Sequence, residues 1–184
     1  MPNCQLVRGR SLNCKDQIGG VEKIFFTTSS LGALTIGSED EVTDIAGTSI
    51  TVFQYDVKGA NGLETAINSS PETGTTFFES TLTLQLPKTT KEDLKEIKML
   101  AYSRPRIFIQ TRNGDVLLMG EKYGAELSGG SISSGQNFAD FAGINLTFIS
   151  QEATAPRFVV LSGATADDPF AGETEITTTV GTNS

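Results

Sequence analysis

The sequence predicts a mostly β protein that contains a single helix. Gly, Thr and Ser are abundant and the large apolar residues are chiefly Ile, Leu, Val and Phe, a mixture that favours strands and turns over helices. Apolar and polar residues alternate over residues 75–86, as they do in a strand with one buried and one solvent-facing side. A helical period is clear only in about residues 90–102. At 184 residues, one compact domain is expected.

The N-terminal part of the chain is predicted to be an extended arm that leads into a strand. Residues 1–20 form the arm, and the first strand covers residues 21–28. Because side chains alternate along a strand, one face should carry Val21, Lys23 and Phe25 and the other Ile24 and Phe26.

Two further strands are predicted between long polar stretches. Residues 29–47 and 58–74 are rich in Gly and polar residues and are expected to be loops, the first of them interrupted by a short apolar segment at 31–36. The strands cover residues 48–57 and 75–86.

The helix is predicted from about Thr90 to Tyr102. Thr89 and Glu92 have the spacing of a capping box, and Pro105 prevents the helix from continuing. Leu94, Ile97 and Leu100 form an apolar stripe, while the opposite face carries Lys88, Lys91, Lys95 and Lys98. A solvated face is the favoured interpretation of these lysines, and pairing with carboxylates of a neighbouring copy is the alternative.

A hairpin and several shorter strands are predicted after the helix. The hairpin joins residues 106–112 to 115–119 through Asn113–Gly114, a type I′ turn signal. Residues 120–135 are expected to be loops with a short strand near 125–127, and the last long strand covers 142–150.

The C-terminal part of the chain is predicted to leave the domain. Residues 158–161 can add a short edge strand, so the β domain is expected to span residues 21–161. Residues 162–184 are acidic, rich in Thr and poor in large apolar groups, a composition that is typical of a disordered tail.

An enzyme is not expected, and no catalytic, cofactor-binding or metal-binding residue is predicted. The chain contains no His, which excludes a Ser-His-Asp triad, a Cys-His dyad and an imidazole ligand for zinc. Cys4 and Cys14 are too few for a four-thiolate site. Free thiols are favoured for them, and a small disulfide is the alternative. The run Glu39–Glu41 with Asp44 lacks the ligand spacing of a calcium loop, so a solvated loop is favoured over a cation site.

The charge and hydropathy of the chain argue against nucleic-acid binding and membrane insertion. The net charge of −8 is opposite to the basic footprint that phosphate binding needs. Residues 1–10 are polar, so no signal peptide is expected, and no apolar run reaches the roughly 18 residues of a membrane helix.

The second half of the sequence resembles the tail-tube proteins of tailed bacteriophages and their relatives in contractile injection systems. The resemblance covers about residues 75–160, where an alternating strand, an amphipathic helix, the strand Arg106–Gln110 and the Asn113–Gly114 hairpin occur in order. The similar motifs continue with Gly120, Tyr123–Ala125, Ser133–Gly135, Ala142–Phe148, Glu152 and Pro156.

The resemblance implies a β-sandwich or barrel of about eight strands with one flanking helix. It also implies a virion structural protein, made in the host cytoplasm, whose copies form six-fold or twelve-fold rings. Neighbouring tail or neck proteins would be its other partners. DNA would pass through the ring without specific binding, and no cofactor would be needed. Residues 29–47, 58–74 and 162–184 would then supply contacts between subunits or rings. The sequence does not distinguish a repeating tail tube from a neck or connector ring or from a tail terminator.

The alternative function is a β-sandwich module that binds glycans at a host surface. The absence of Trp weakens it, since such modules usually present aromatic side chains in exposed loops.

A set of large apolar residues is expected to form the core, and contacts between subunits are the alternative for them. They are Phe25, Phe26, Phe53, Phe77, Phe78, Leu82, Leu84, Leu94, Ile97, Ile107, Ile109, Leu117, Leu146 and Phe148.

Overall fold

The computed structural model confirms a mostly β fold with one helix. It describes residues 9–10, 15, 17–47 and 49–181. Those residues form twelve strands, more than the eight expected, and no closed barrel. In chain order they are β1 Val21–Thr27, β2 Ala33–Ile36, β3 Val42–Ala46, β4 Ile50–Asp56, β5 Gly62–Ser70, β6 Thr75–Pro87, α1 Lys91–Tyr102, β7 Arg106–Thr111, β8 Val116–Met119, β9 Glu126–Ser133, β10 Gly143–Glu152, β11 Arg157–Phe158 and β12 Ile176–Val180.

Two sheets form a sandwich around the first hydrophobic core. The larger sheet has the order β11-β8-β7-β1-β4-β12 and the smaller has the order β5-β6-β10-β9. Ile24 and Ile109 from the larger sheet meet Leu84 and Phe148 from the smaller one. Two residues of α1, Ile97 and Leu100, belong to the same core.

A second core covers the opposite face of the larger sheet. Phe25 of β1 and Phe108 of β7 are fully buried there. They are covered by Ile45 of the two-stranded hairpin β2-β3 and by Phe170 from the C-terminal segment. The central strands of the larger sheet are therefore buried on both faces.

The C-terminal segment is part of this fold, so the disorder predicted from its composition is wrong for residues 162–181. The ring of Phe170 contacts Phe25 and Phe108 edge to face, with centroids 5.0 and 5.1 Å apart. β12 then pairs in parallel with β4, from Ile176 opposite Ile50 onward. Two well-placed apolar side chains, Phe170 and Ile176, anchor a segment whose average composition is polar.

Both stretches predicted as polar loops contain strands. In the first, β2 and β3 form a hairpin, and Val42 and Ile45 of β3 are buried in the second core. The acidic residues beside them favoured the prediction of a loop. In the second, β5 pairs with β6 along its whole length. The Thr65 and Ser80 hydroxyls are 3.0 Å apart, so hydrogen bonds between small polar side chains help to hold a strand that has few large apolar residues.

A bulge corrects the faces predicted for β1. The pairing with β7 shifts between Val21 and Lys23, which places one extra residue in the strand. Val21 therefore joins Ile24 and Phe26 in the first core, whereas Phe25 faces the second core.

The helix was predicted correctly, but its cap is one residue later. Thr90 is the N-cap residue, and its hydroxyl accepts the backbone N–H of Asp93 at 3.1 Å. The Asp93 carboxylate accepts the Thr90 N–H at 3.0 Å. This capping box therefore uses Thr90 and Asp93 rather than Thr89 and Glu92.

The hairpin of β7 and β8 is confirmed, but the predicted turn type is wrong. A type I′ turn needs positive φ at Asn113, and the only described non-glycine residues with positive φ are Asp40 and Lys88. The Gly114 N–H donates to the Thr111 carbonyl at 3.0 Å, and Gly114 has a φ of 90°. The loop is thus a three-residue turn that ends in a left-handed glycine.

Most of the predicted core is buried. Nine residues are buried in the two cores: Phe25, Phe26, Leu82, Leu84, Ile97, Ile107, Ile109, Leu146 and Phe148. Phe78 and Leu117 are half-buried.

Three residues do not belong to the core. Phe53 is 44% exposed because it lies next to the edge strand β12, beyond the first core. Phe77 points to the outer face of the smaller sheet. Leu94 is 40% exposed, since α1 contacts the core through the later Ile97 and Leu100.

The remaining short strands are close to their predicted positions. β9 is longer than the strand expected near 125–127, β10 covers the last long strand, and β11 forms an edge beside β8. Of the predicted arm, the Ile18 N–H donates to the Asn113 side chain at 2.9 Å. Cys4 and Cys14 lie outside the described residues.

Replacing Leu84 by Ala is expected to lower the free energy of unfolding by about 2–5 kcal/mol, because the side chain is fully buried between the sheets. Urea unfolding measures the change. The matched control is Phe77→Ala on the outer face of the same strand, where a much smaller cost is expected. Equal costs for the two variants would show that the strand faces are reversed.

Phe170→Ala should destabilise the fold by roughly 3–5 kcal/mol, because it empties the space between Phe25 and Phe108. Val180→Ala, at an exposed position in the same segment, should have little effect. Chemical unfolding of both variants gives the comparison. A Phe170→Ala protein as stable as the wild type would mean that the C-terminal segment does not dock on the sheet.

Candidate assembly surface

The outer face of the smaller sheet is a polar surface. Its side chains alternate with the core-facing ones of β5, β6, β9 and β10, and none of them belongs to either core. They are Glu64, Ala66, Asn68, Phe77, Glu79, Thr81, Thr83, Gln85, Glu126, Ser131, Asn145, Thr147, Ile149 and Gln151. Hydroxyl and amide groups dominate this surface.

The smaller sheet has no positive charge in any of its strands. β5, β6, β9 and β10 contain four Glu and neither Lys nor Arg. Glu79 accepts a hydrogen bond from the Gln151 amide at 2.6 Å, and Glu126 forms an ion pair with Arg104 at 2.8 Å. The face therefore presents hydrogen-bonding groups and negative charge.

Both edges of the smaller sheet are long and unpaired. Among the described residues no strand pairs with the outer side of β5 or of β9, which are nine and eight residues long. Neither strand contains the Pro or Lys that commonly blocks an edge. Each edge instead carries an exposed isoleucine, Ile67 at 69% and Ile132 at 63%.

The two isoleucines lie on the same side of the sheet. Ile67 is opposite Phe78, and Ile132 is opposite Ile144, so both belong to the core-facing side. Both lie on edge strands, beyond the residues that form the first core.

The strand directions make the two edges complementary. β5, β6, β10 and β9 are antiparallel in succession, so β5 and β9 run in opposite directions. If a second copy is rotated about an axis parallel to the strands, its β5 can lie antiparallel to β9 of the first copy. The sheet can thus continue from copy to copy without a change of pattern.

A loop beyond β9 presents one aromatic side chain to solvent. The Asp140 carboxylate accepts the backbone N–H groups of Asn137 at 2.7 Å and Gln136 at 3.0 Å, and these hydrogen bonds lower the pKa of Asp140. Phe138 is fully exposed. An open groove of about 670 Å³ lies beside the loop, lined by residues 131–136, Asp140, Phe141 and Asn145.

The acidic run of residues 39–41 was predicted to be a solvated loop, and one of its residues has a structural role. Arg157 donates from Nε to Asp40 at 2.9 Å and from Nη1 to Glu121 at 2.6 Å. Because Asp40 lies in the turn of the β2-β3 hairpin, this pair ties the hairpin to the larger sheet. No group of three or more metal-ligating side chains occurs in the part of the chain that the structure describes.

Tyr55 lies beneath the acidic flank of α1. Burial raises the pKa of Tyr55 to about 12, and the negative charges of Glu96 and Asp93 add to the effect. The Tyr55 ring also contacts Phe26 edge to face at 5.2 Å. The phenol therefore belongs to the boundary of the first core.

Comparisons with protein-family models, curated proteins and solved structures found no match for this chain. Among the described residues, no helix is both long enough and apolar enough to cross a membrane.

The sequence predicted the alternation of β6 and β10 but not the two unpaired edges of the smaller sheet. No alternation was recognised in β5, although Leu63, Thr65 and Ile67 share one face. The glycines of β9 predicted a loop, yet the residues up to Ser133 form a strand.

The free energy of unfolding is expected to fall as the pH rises from about 10 to about 12. The unfolded chain loses the Tyr55 proton near the ordinary tyrosine pKa of 10.0, whereas the folded protein retains it to about 12. Urea unfolding of the wild type and of Tyr55→Phe across this range isolates the effect, since the variant cannot ionise there. Parallel pH profiles for the two proteins would contradict it.

Proposed function

We propose that this protein is a structural subunit of a bacteriophage tail or neck, whose copies close into a ring around a bore for DNA. The observation that carries the proposal is the smaller sheet, which combines two unpaired, oppositely directed edges with four strands that contain neither Lys nor Arg. Partners would be further copies and neighbouring tail or neck proteins, with the virion as the site of action. The resemblance of residues 75–160 to tail-tube proteins agrees with this assignment.

The bare edges support ring closure. An unpaired strand of this length is a template for association, and a closed ring satisfies every edge within a finite assembly. Pairing of β5 with β9 of the next copy would also bring Ile67 and Ile132 to the same side of the joined sheet. The exposed apolar surface of both residues would then be reduced.

The polar outer face supports a role as the wall of a bore. DNA carries a dense negative charge, and a Lys- or Arg-rich wall would bind its phosphates. A wall of hydroxyl, amide and carboxylate groups offers no such attachment, and carboxylates repeated around a ring repel the backbone. The face that contains Glu64, Glu79, Thr83 and Gln151 has this chemistry.

The first experiment is light scattering of the full chain across concentration, combined with negative-stain imaging. Rings or tubes of constant diameter with an open bore are expected. Their length distinguishes a repeating tube from a single neck ring. A protein that stays monomeric at high concentration would contradict self-assembly.

Edge variants test which surfaces close the ring. Ile67→Lys and Ile132→Lys should each abolish assembly while the monomer stays folded, because both positions are exposed and a charge there opposes strand addition. Val160→Lys is the matched control, an exposed aliphatic residue outside both edges. Rings that persist in both edge variants would exclude β5–β9 pairing as the closing contact.

Glycan binding is a second candidate, favoured by the groove beside the loop of Phe138. Its lining of Ser hydroxyls, Asn145 and the Phe141 ring is chemistry that sugars can use. A glycan-array screen of the monomer tests this function. Selective binding that Phe141→Ala removes, in a protein that never assembles, would favour it over the ring.

A further inference from the structure

The chain contains two Asn-Gly pairs, and the structure places them in contrasting surroundings. Asn61–Gly62 lies at the start of β5, and Asn113–Gly114 lies in the turn between β7 and β8. Asn-Gly is prone to spontaneous loss of the side-chain amide, because glycine has no Cβ to keep its backbone nitrogen away from the asparagine side chain. The reacting residues are the same in both pairs, so their surroundings decide which pair reacts.

The reaction needs only water and a base from solvent. The glycine backbone nitrogen loses its proton to the base and attacks the asparagine Cγ, so that a new C–N bond forms. The Cγ–Nδ2 bond then breaks, ammonia leaves and a cyclic imide remains. Water opens the imide at either of its two carbonyl groups, and the product is aspartate or isoaspartate. In isoaspartate the main chain runs through Cβ and Cγ.

Asn61 is buried, and both ends of its side-chain amide are hydrogen-bonded. Its Oδ1 accepts the Gln85 N–H at 2.6 Å, and its Nδ2 donates to the Lys58 carbonyl at 2.9 Å. Gly62 lies opposite Thr83 of β6 in the smaller sheet. Formation of the imide at this pair therefore requires the start of β5 to open.

Asn113 is exposed at the tip of a hairpin. Among the described residues, its side chain makes one hydrogen bond, which it accepts from the Ile18 N–H at 2.9 Å. Gly114 is also exposed, and its N–H donates to Thr111 within the same turn. Neither Asn113 nor Gly114 belongs to a core, so this turn can open without exposing a buried side chain.

The same turn holds the residues that precede β1. Arg112 donates from Nη1 to the Gly19 carbonyl at 3.1 Å and from its backbone N–H to the Gly20 carbonyl at 3.1 Å. With the hydrogen bond between Ile18 and Asn113, three contacts attach the end of the predicted arm to the hairpin. The contact made by Asn113 is the one farthest from β1 along the chain.

We propose that Asn113 is a site of spontaneous isoaspartate formation and that this modification releases the arm at Ile18. In isoaspartate the former side-chain carbonyl becomes part of the main chain, and a methylene group is added to the turn. The oxygen that accepts the Ile18 N–H is thereby displaced. Aspartate, in contrast, keeps a side-chain oxygen at this position. The inference does not depend on the proposed ring.

Timed incubation of the full chain at mildly alkaline pH tests the site. Peptide mapping by mass spectrometry, with fragmentation that separates isoaspartate from aspartate, measures both pairs. Isoaspartate should form at Asn113 at least about tenfold faster than at Asn61, because only the reaction at Asn61 requires part of a sheet to open. Equal rates at the two pairs, or a faster reaction at Asn61, overturn the proposal. So does an unmodified Asn113 after a period that converts the unfolded chain.

The unfolded chain in urea is the matched control. Both pairs there lack tertiary contacts, so their rates should agree within about threefold. If Asn113 reacts about tenfold faster than Asn61 in urea as well, the flanking sequence and not the fold sets the preference, and the structural argument falls.

Amide hydrogen exchange tests the release of the arm. The Ile18 amide should exchange about tenfold or more faster in the isoaspartate form than in the unmodified protein, while the amide of Ile24 within β1 is unchanged. Asn113→Asp is the matched control, since it adds the same negative charge on an ordinary backbone and keeps an acceptor for Ile18. Unchanged exchange at Ile18 in the isoaspartate form, or equally fast exchange in Asn113→Asp, overturns the release.

Discussion

The fold depends on burying the two central strands of the larger sheet on both faces. Ile24–Phe26 in β1 and Ile107–Ile109 in β7 are consecutive apolar residues, so each strand directs large side chains to both sides of the sheet. Structure packed on only one face of the sheet cannot remove both sets of side chains from water. The smaller sheet and α1 cover one side, and the β2-β3 hairpin with the C-terminal segment covers the other.

This constraint explains why polar segments are structured. The β2-β3 hairpin and residues 162–181 contain few large apolar side chains, yet Ile45, Phe170 and Ile176 are placed where the second core needs them. A few buried contacts then order the intervening polar chain. The ion pairs of Arg157 with Asp40 and Glu121 also link this hairpin to the larger sheet.

The same division leaves the smaller sheet with only one covered face. Its other face and both of its edges remain available, and the exposed isoleucines lie on the edges. The proposed ring uses these features. A closed ring would pair both edges and so prevent unlimited edge-to-edge aggregation.

The sequence by itself determined the mostly β class, the alternating strands β6 and β10, the helix and the β7-β8 hairpin, because each signal is local. It could not determine that Val21 shifts face at a bulge, that Phe53 and Leu94 lie beyond the core, or that Phe170 docks between Phe25 and Phe108. Only the tertiary structure decided these points and the bare edges of the smaller sheet. Burial and strand pairing depend on which distant segments meet, and composition within a window carries no information about that partner.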